Sequence, residues 1–148
     1  MLLDHDSDWD SDWKSIKARN YFSMTWNGPT GNGLVTGEEN LENLYFSIEN
    51  TFHDNYQFVR PDGRFIGEGV DELKKVLTKL TVPLVNLKMT SFDIVALTEN
   101  AVTFQSTATA DKKENGERYV QCLRLTYVFQ DQKVSRAIVH YHSNYEDK

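Results

Sequence analysis

The chain has 148 residues and a formal net charge of −6, from 16 basic and 22 acidic side chains. Five of the acids precede the first basic residue, namely Asp4, Asp6, Asp8, Asp10 and Asp12. The rest of the chain therefore carries 16 basic against 17 acidic groups, a net charge of −1. This part of the chain lacks the excess of basic residues with which proteins bind nucleic acids and anionic membranes, so we predict neither as a partner. With 39% hydrophobic residues, the length fits one domain with its own core.

Cysteine usage and the N-terminal residues indicate the cellular setting. Cys122 is the only cysteine, so the chain can form neither an internal disulfide nor a Cys-x-x-Cys site. The first residues have neither the basic nor the apolar region of a signal peptide. No run approaches 18 consecutive apolar residues. The sequence therefore predicts a soluble, cytoplasmic protein.

The N-terminal part of the chain predicts a long helix. We separate an acidic segment, residues 1–7, from a single domain over residues 8–148. Trp9, Trp13 and Ile16 recur at the spacing of one helix face, and the pattern continues toward Trp26. The glycines and proline within residues 27–33 end this helix.

The middle of the chain predicts two more helices and a small hairpin. The second helix runs from about residue 38 to residue 47. Residues 56–60 alternate like a strand, and residues 64–66 return after the turn at Pro61-Asp62-Gly63. Apolar residues then recur at helical spacing between Val70 and Leu80, which predicts an amphipathic helix.

The second half of the chain predicts a meander of long strands, over residues 84–97, 101–110, 118–130 and 133–143. Helices followed by strands in this order predict an α+β fold. We expect three N-terminal helices to pack on the concave face of a curved antiparallel sheet, with a pocket between the two layers.

This order of elements resembles the nuclear transport factor 2-like superfamily, and its SnoaL-like branch in particular. The motifs that carry the resemblance are residues 58–63 followed by Gly69, and the paired segments 124–129 and 138–143. The last hairpin is also similar to kinase association domains and to metal-free iota-class carbonic anhydrases. The resemblance implies a cone-shaped fold, a pocket for a small apolar or aromatic organic molecule, and a homodimer formed through the sheet. We expect neither a cofactor nor a metal.

The last hairpin contains the first catalytic candidates. A two-residue turn at Asp131-Gln132 predicts the cross-strand pairs Phe129/Val134, Tyr127/Arg136, Leu125/Ile138, Leu123/His140 and Gln121/His142. A slip of one residue would exchange the two faces, and we favour this register because it makes one face consistently apolar. Both His140 and His142 then face the pocket. They are candidates for acid/base catalysis because imidazole exchanges protons near neutral pH, and packing or a dimer contact is the alternative role.

Other side chains complete the predicted site. Asp93 lies in an apolar strand, so it either faces solvent or is a buried base. The SnoaL-like resemblance implies that a carboxylate in the cavity abstracts a proton, which makes Asp93 a candidate for that role. Arg124 would anchor an anion or an oxyanion, unless it faces outward. The predicted ligand-binding residues are Tyr21, Trp26, Phe58, Arg124 and Tyr127.

Three functions follow from these patterns. The first is a pocket protein that binds a small organic molecule and, if it is catalytic, isomerises, cyclises or dehydrates it without a cofactor. His142 would then be the acid/base, assisted by His140 or Asp93. The second is a non-enzymatic dimerising or ligand-sensing module. The third, implied by the iota-class resemblance, is a metal-free carbonic anhydrase-like lyase.

Overall fold

The structure is a computed structural model that describes residues 8–147 and, within them, the side chains of residues 9–142. The helices are α1 (Asp8–Ser11), α2 (Trp13–Trp26), α3 (Leu41–Thr51) and α4 (Val70–Thr81). The strands are β1 (Phe52–Val59), β2 (Phe65–Glu68), β3 (Leu84–Leu97), β4 (Ala101–Lys112), β5 (Arg118–Gln130) and β6 (Lys133–Asp147). The predicted acidic segment, residues 1–7, lies outside the described residues. Within them, no helix is long and apolar enough to cross a bilayer.

The observed elements confirm the α+β class. Helix α4 and strands β3 and β5 agree closely with the predicted bounds, because their apolar periodicity is regular. Helix α3 begins and ends later than predicted. Strand β1 also begins earlier than the predicted residues 56–60, so it includes His53 and Asp54. His53 Nε2 is 2.5 Å from the carbonyl oxygen of Gln130.

The predicted N-terminal helix is interrupted at Asp12. The backbone of Asp12 is extended, and its carboxylate accepts a hydrogen bond from the amide of Lys14 at 2.9 Å. Asp12 is therefore the N-cap of α2. The same carboxylate lies 3.1 Å from the buried ammonium of Lys14. The interruption ends the predicted Trp9–Trp13–Ile16 face, because Trp9 is buried while Trp13 and Ile16 are exposed.

The buried face of α2 joins this helix to the sheet through aromatic rings. The ring of Phe22 contacts that of Phe104 at a centroid distance of 5.2 Å, and Tyr21 contacts Phe52 at 5.0 Å. Both pairs are edge-to-face, a geometry that adds about 0.5–1.5 kcal/mol beyond the burial of the rings. Aromatic packing therefore holds α2 on the inward face of the sheet.

The strands of the described residues form one sheet in the order β2-β1-β6-β5-β4-β3. Neighbouring strands are antiparallel except β1 and β6, which are parallel. The predicted antiparallel sheet is therefore wrong at this pair, and the sheet is mixed. Parallel neighbours need a long crossover connection, and the chain between β1 and β6 supplies it.

Two bulges in β6 change the predicted register of the last hairpin. Phe129 pairs with Val134 as predicted, but Ser135 and His140 are extra residues on β6. The observed pairs are Tyr127/Ala137, Leu125/Val139, Leu123/His142 and Gln121/Asn144. The predicted pairs Tyr127/Arg136, Leu125/Ile138, Leu123/His140 and Gln121/His142 are therefore wrong, because the turn alone does not reveal extra residues further along the strands.

We expect Gly37 to be essential for the position of α4. Its amide donates to the carbonyl oxygen of Leu84 at 3.0 Å, and a Cβ at this position would clash with the carbonyl oxygen of Thr81 at the end of α4. Gly37→Ala should lower the free energy of unfolding in urea by about 1–3 kcal/mol, the usual cost of overpacking. Gly67→Ala is the matched control, because nothing lies within 4 Å of the added methyl group. Equal losses for the two variants would contradict the prediction.

Candidate ligand pocket

A cavity of about 590 Å³ lies between the concave face of the sheet and helices α2 and α4. Its lining is mostly apolar and aromatic, and includes Phe22, Trp26, Phe52, Leu77, Leu125 and Val139. The volume is within the range of about 300–1,000 Å³ that is usual for small-molecule sites.

Helix α4 forms an incompletely covered wall of this cavity. Its apolar side chains Leu73, Val76, Leu77 and Leu80 recur at intervals of three and four residues and all line the cavity. Val76 is 53% exposed, and the other three are only partly buried. The apolar face of α4 therefore borders open space instead of closing on the sheet.

Two tyrosines supply polar groups to the otherwise apolar lining. Tyr56 and Tyr127 are buried, and both line the cavity. Burial and the charge of Glu72 raise the pKa of Tyr56. Burial and the neighbouring phenols of Tyr21 and Tyr56 raise the pKa of Tyr127. Both phenols therefore stay protonated at neutral pH and can donate hydrogen bonds.

Three of the predicted ligand-binding residues, Trp26, Phe58 and Tyr127, line the cavity, whereas Tyr21 lies behind its wall. The ring of Tyr21 packs against Phe52 and Tyr127 at centroid distances of 5.0 and 6.5 Å. Tyr21 therefore supports the lining and does not form part of it. A role of Trp26, Phe58 and Tyr127 in ligand binding stays a prediction.

The two histidines of β6 have different orientations. His142 pairs with the inward-facing Leu123 and lines the cavity. Although His142 is open to solvent on one side, partial burial of its ring lowers its pKa. Its neutral, basic form is therefore favoured near pH 7.

His140 borders the mouth of the cavity, but its ring is bonded on the outer face of the sheet. Its Nε2 lies 2.7 Å from the hydroxyl of Thr126, which lies 2.6 Å from the hydroxyl of Thr103. Thr126 alternates with the inward-facing Leu125 and Tyr127, so these hydroxyls belong to the outer face. The prediction that both histidines face the pocket is wrong for His140, because this residue is the extra residue of a bulge.

Asp93 and Arg124 also lie on the outer face of the sheet. Arg124 is exposed and donates from Nε and Nη2 to Oε1 of Gln105, at 3.2 and 2.7 Å. Gln105 pairs in turn with Asp93, which is exposed as well. Neither Asp93 nor Arg124 reaches the cavity, because alternate residues of a strand face opposite sides. Their predicted roles in the pocket therefore have no geometric support. The homodimer expected through this face stays a prediction.

The structure adds lining residues that the sequence analysis missed. Gln121 is buried in the inward row of β5, and Arg60, Glu68 and Glu72 border the cavity. One signal for Gln121 was available, since this polar residue occupies the apolar phase of an alternating strand. The charged residues had no such signal, because they come together only in the folded chain. Among the described residues, no group of three His, Cys, Asp or Glu side chains is placed to hold a metal ion.

No sequence-family model and no curated protein sequence matches the chain. Solved structures do match it. An NTF2-like protein from Anabaena variabilis is 16% identical with a TM-score of 0.59, over 100% of this chain and 96% of that one. A candidate SnoaL-like polyketide cyclase from Jannaschia sp. CCS1 is 10% identical with a TM-score of 0.64, over 88% and 85% of the two chains. The Δ5-3-ketosteroid isomerase from a Mycobacterium species is 11% identical with a TM-score of 0.59, over 90% and 98%. The chain therefore has the NTF2-like fold that the resemblance implied.

We expect the ring of His142 to titrate below the ordinary value of 6.5 in an NMR pH series, because burial lowers its pKa. The unfolded chain then binds the proton more readily than the folded one. The contribution of His142 to stability is therefore complete above pH 6.5 and is lost as the pH falls through the folded pKa. His142→Asn should remove this part of the pH dependence of urea unfolding, whereas His140→Asn should retain it. A His142 ring that titrates at or above 6.5 would contradict the prediction.

Proposed function

We propose that the chain binds a small, largely apolar organic molecule with a carbonyl group, and that His142 transfers a proton at the carbon next to it. The observation that carries the proposal is an apolar cavity of about 590 Å³ with an inward-facing imidazole at its edge. The chain shares its fold with a ketosteroid isomerase and a candidate polyketide cyclase, and this analogy supports proton transfer next to a carbonyl group as the class of reaction.

The polar groups of the cavity suit proton transfer because their pKa values are displaced in opposite directions. The lowered pKa of His142 keeps its imidazole neutral and basic. The raised pKa values of Tyr56 and Tyr127 keep both phenols protonated. A base and separate hydrogen-bond donors can therefore coexist in one pocket at neutral pH, which is the requirement for acid/base work on a carbonyl compound.

The proposed step needs no cofactor. His142 accepts a proton from the carbon next to the carbonyl group, and the electron pair of the broken C–H bond moves to the carbonyl oxygen as an enolate forms. Hydrogen bonds stabilise the negative charge on that oxygen. Return of the proton to a different carbon gives an isomer. Attack of the enolate carbon on a second carbonyl group gives a ring, and the alkoxide formed as that C=O π bond breaks takes the proton back from His142.

Ligand binding without chemistry is a second candidate, favoured by the exposure of His142. A base in contact with water is less shielded than one in a closed site, and the apolar cavity suffices for a sensing role. The two candidates share the pocket, so they differ in whether bound ligand exchanges a proton. Hydration of carbon dioxide by chelator-treated protein would instead support the carbonic anhydrase-like alternative.

Proton exchange of 2-tetralone in deuterated water tests the catalytic proposal. This bicyclic ketone is small enough for the cavity, and NMR follows the loss of its protons next to the carbonyl group. We expect the protein to accelerate this exchange, and His142→Asn to lower the protein-catalysed rate by roughly 100-fold, the usual contribution of a general base.

His53→Asn is the matched control for this experiment. It makes the same substitution in β1 at a histidine that does not line the cavity, and should leave the exchange rate unchanged. Binding of 2-tetralone that raises the melting temperature without any exchange would contradict catalysis and support the sensing role. Equal losses for both variants would contradict the assignment of His142.

A further inference from the structure

Gln121 is a buried polar side chain on the wall of the cavity. It is 6% exposed and lies on the inward face of β5, in one row with Leu123, Leu125 and Tyr127. Burial of a carboxamide without hydrogen bonds costs about 1–3 kcal/mol in proteins. The hydrogen-bond partners of both polar atoms of this side chain therefore affect the stability of the fold.

Tyr119 fixes the orientation of the Gln121 carboxamide. It lies two residues earlier on the same face of β5, and its hydroxyl donates to Oε1 of Gln121 at 3.2 Å. The ring of Tyr119 is itself held by stacking on Trp26, at a centroid distance of 6.4 Å and an interplanar angle of 13°. Burial raises the pKa of Tyr119 to about 12, so its hydroxyl remains a donor at neutral pH.

With Oε1 engaged by Tyr119, the NH₂ group of Gln121 is the atom left for another partner. Among the described residues, no group accepts a hydrogen bond from it. Oγ of Ser15 is, among the described residues, the side-chain polar atom that is both fully buried and without a hydrogen-bond partner. The NH₂ group of Gln121 is therefore not fully buried, and the residue that carries it lines the cavity.

Gln121 and His142 are close enough to act on one ligand. Leu123 pairs with His142, and Gln121 pairs with the position two residues further along β6. Gln121 and His142 are thus diagonal neighbours on the inward face, a relation that corresponds to about 7–8 Å between backbones. An oxygen held by Gln121 therefore has its neighbouring carbon within reach of the imidazole.

We propose that Gln121 is the hydrogen-bond donor for the carbonyl oxygen of the ligand, and that Tyr119 is the residue that positions it. This inference rests on the proposed function and narrows its substrate class to apolar molecules with an acceptor oxygen. When His142 takes the proton, the electron pair of the C–H bond moves to the oxygen that Gln121 holds. The hydrogen bond strengthens as that oxygen becomes negative.

Binding of 2-tetralone and of tetralin, the same bicycle without the oxygen, tests the inference by calorimetry. The wild-type protein should prefer 2-tetralone, and the carbonyl stretching band of the bound ketone should shift to lower frequency. Gln121→Leu should reduce this preference by about 3- to 10-fold, the ordinary worth of one hydrogen bond, while tetralin still binds.

Two further variants keep the test independent of folding defects. Gln121→Glu retains the acceptor for Tyr119 but removes the donor, so it should also lose the preference and the infrared shift. Tyr119→Phe keeps the aromatic ring that stacks on Trp26. It should move the carbonyl stretching band of bound 2-tetralone part of the way back toward its frequency in the free ketone, a change that loss of packing alone does not produce. Gln105→Leu, on the outer face, is the matched control and should behave as wild type.

The outcomes separate the two proposals. If neither probe binds the wild-type protein, the proposed function is overturned, and the role of Gln121 with it. If both probes bind and the preference is the same in wild type, Gln121→Leu and Gln121→Glu, only the role of Gln121 is overturned.

Discussion

The pairing of β5 with β6 is the constraint on which the candidate site depends. Side chains alternate between the two faces of a sheet, so each extra residue in one strand reverses the faces beyond it. The extra residues Ser135 and His140 together shift the pairing by an even number. His142 therefore keeps the inward face that an unbroken hairpin would give it, whereas His140, as an extra residue, bonds outward to Thr126.

The cavity exists because the two helices that line it, α2 and α4, differ in their side chains. Helix α2 brings Tyr21 and Phe22 against the rings of Phe52, Phe104 and Tyr127, and these large groups fill the space on their side of the cavity. Helix α4 offers leucine and valine, whose shorter side chains remain partly exposed. Aromatic packing thus closes one part of the space between helices and sheet, and the aliphatic face of α4 leaves the other part open.

Polar side chains on the two faces of the sheet differ in how fully they are hydrogen-bonded. On the outer face, polar side chains bond to one another in cross-strand pairs such as Arg124 with Gln105 and Thr126 with Thr103. Each such pair contributes about 0.2–1 kcal/mol to the sheet. On the inward face, Gln121 is bonded through one atom only among the described residues, and His142 lies at the solvent edge. A largely apolar ligand with one polar atom would pack against the apolar walls and supply the hydrogen-bond partner that these polar groups lack.

The sequence by itself determined the α+β class, the bounds of α4, β3 and β5, and several aromatic residues of the cavity lining. These features follow from local periodicity, since apolar residues at intervals of two or about three and a half define which face of a strand or helix is buried. Only the tertiary structure decided the break at Asp12, the parallel pairing of β1 with β6, the outward position of Asp93 and Arg124, and the bond from Tyr119 that orients Gln121. Each of these depends on hydrogen bonds or packing that the local apolar pattern does not encode, and a single extra residue in a strand is enough to change which side chains meet.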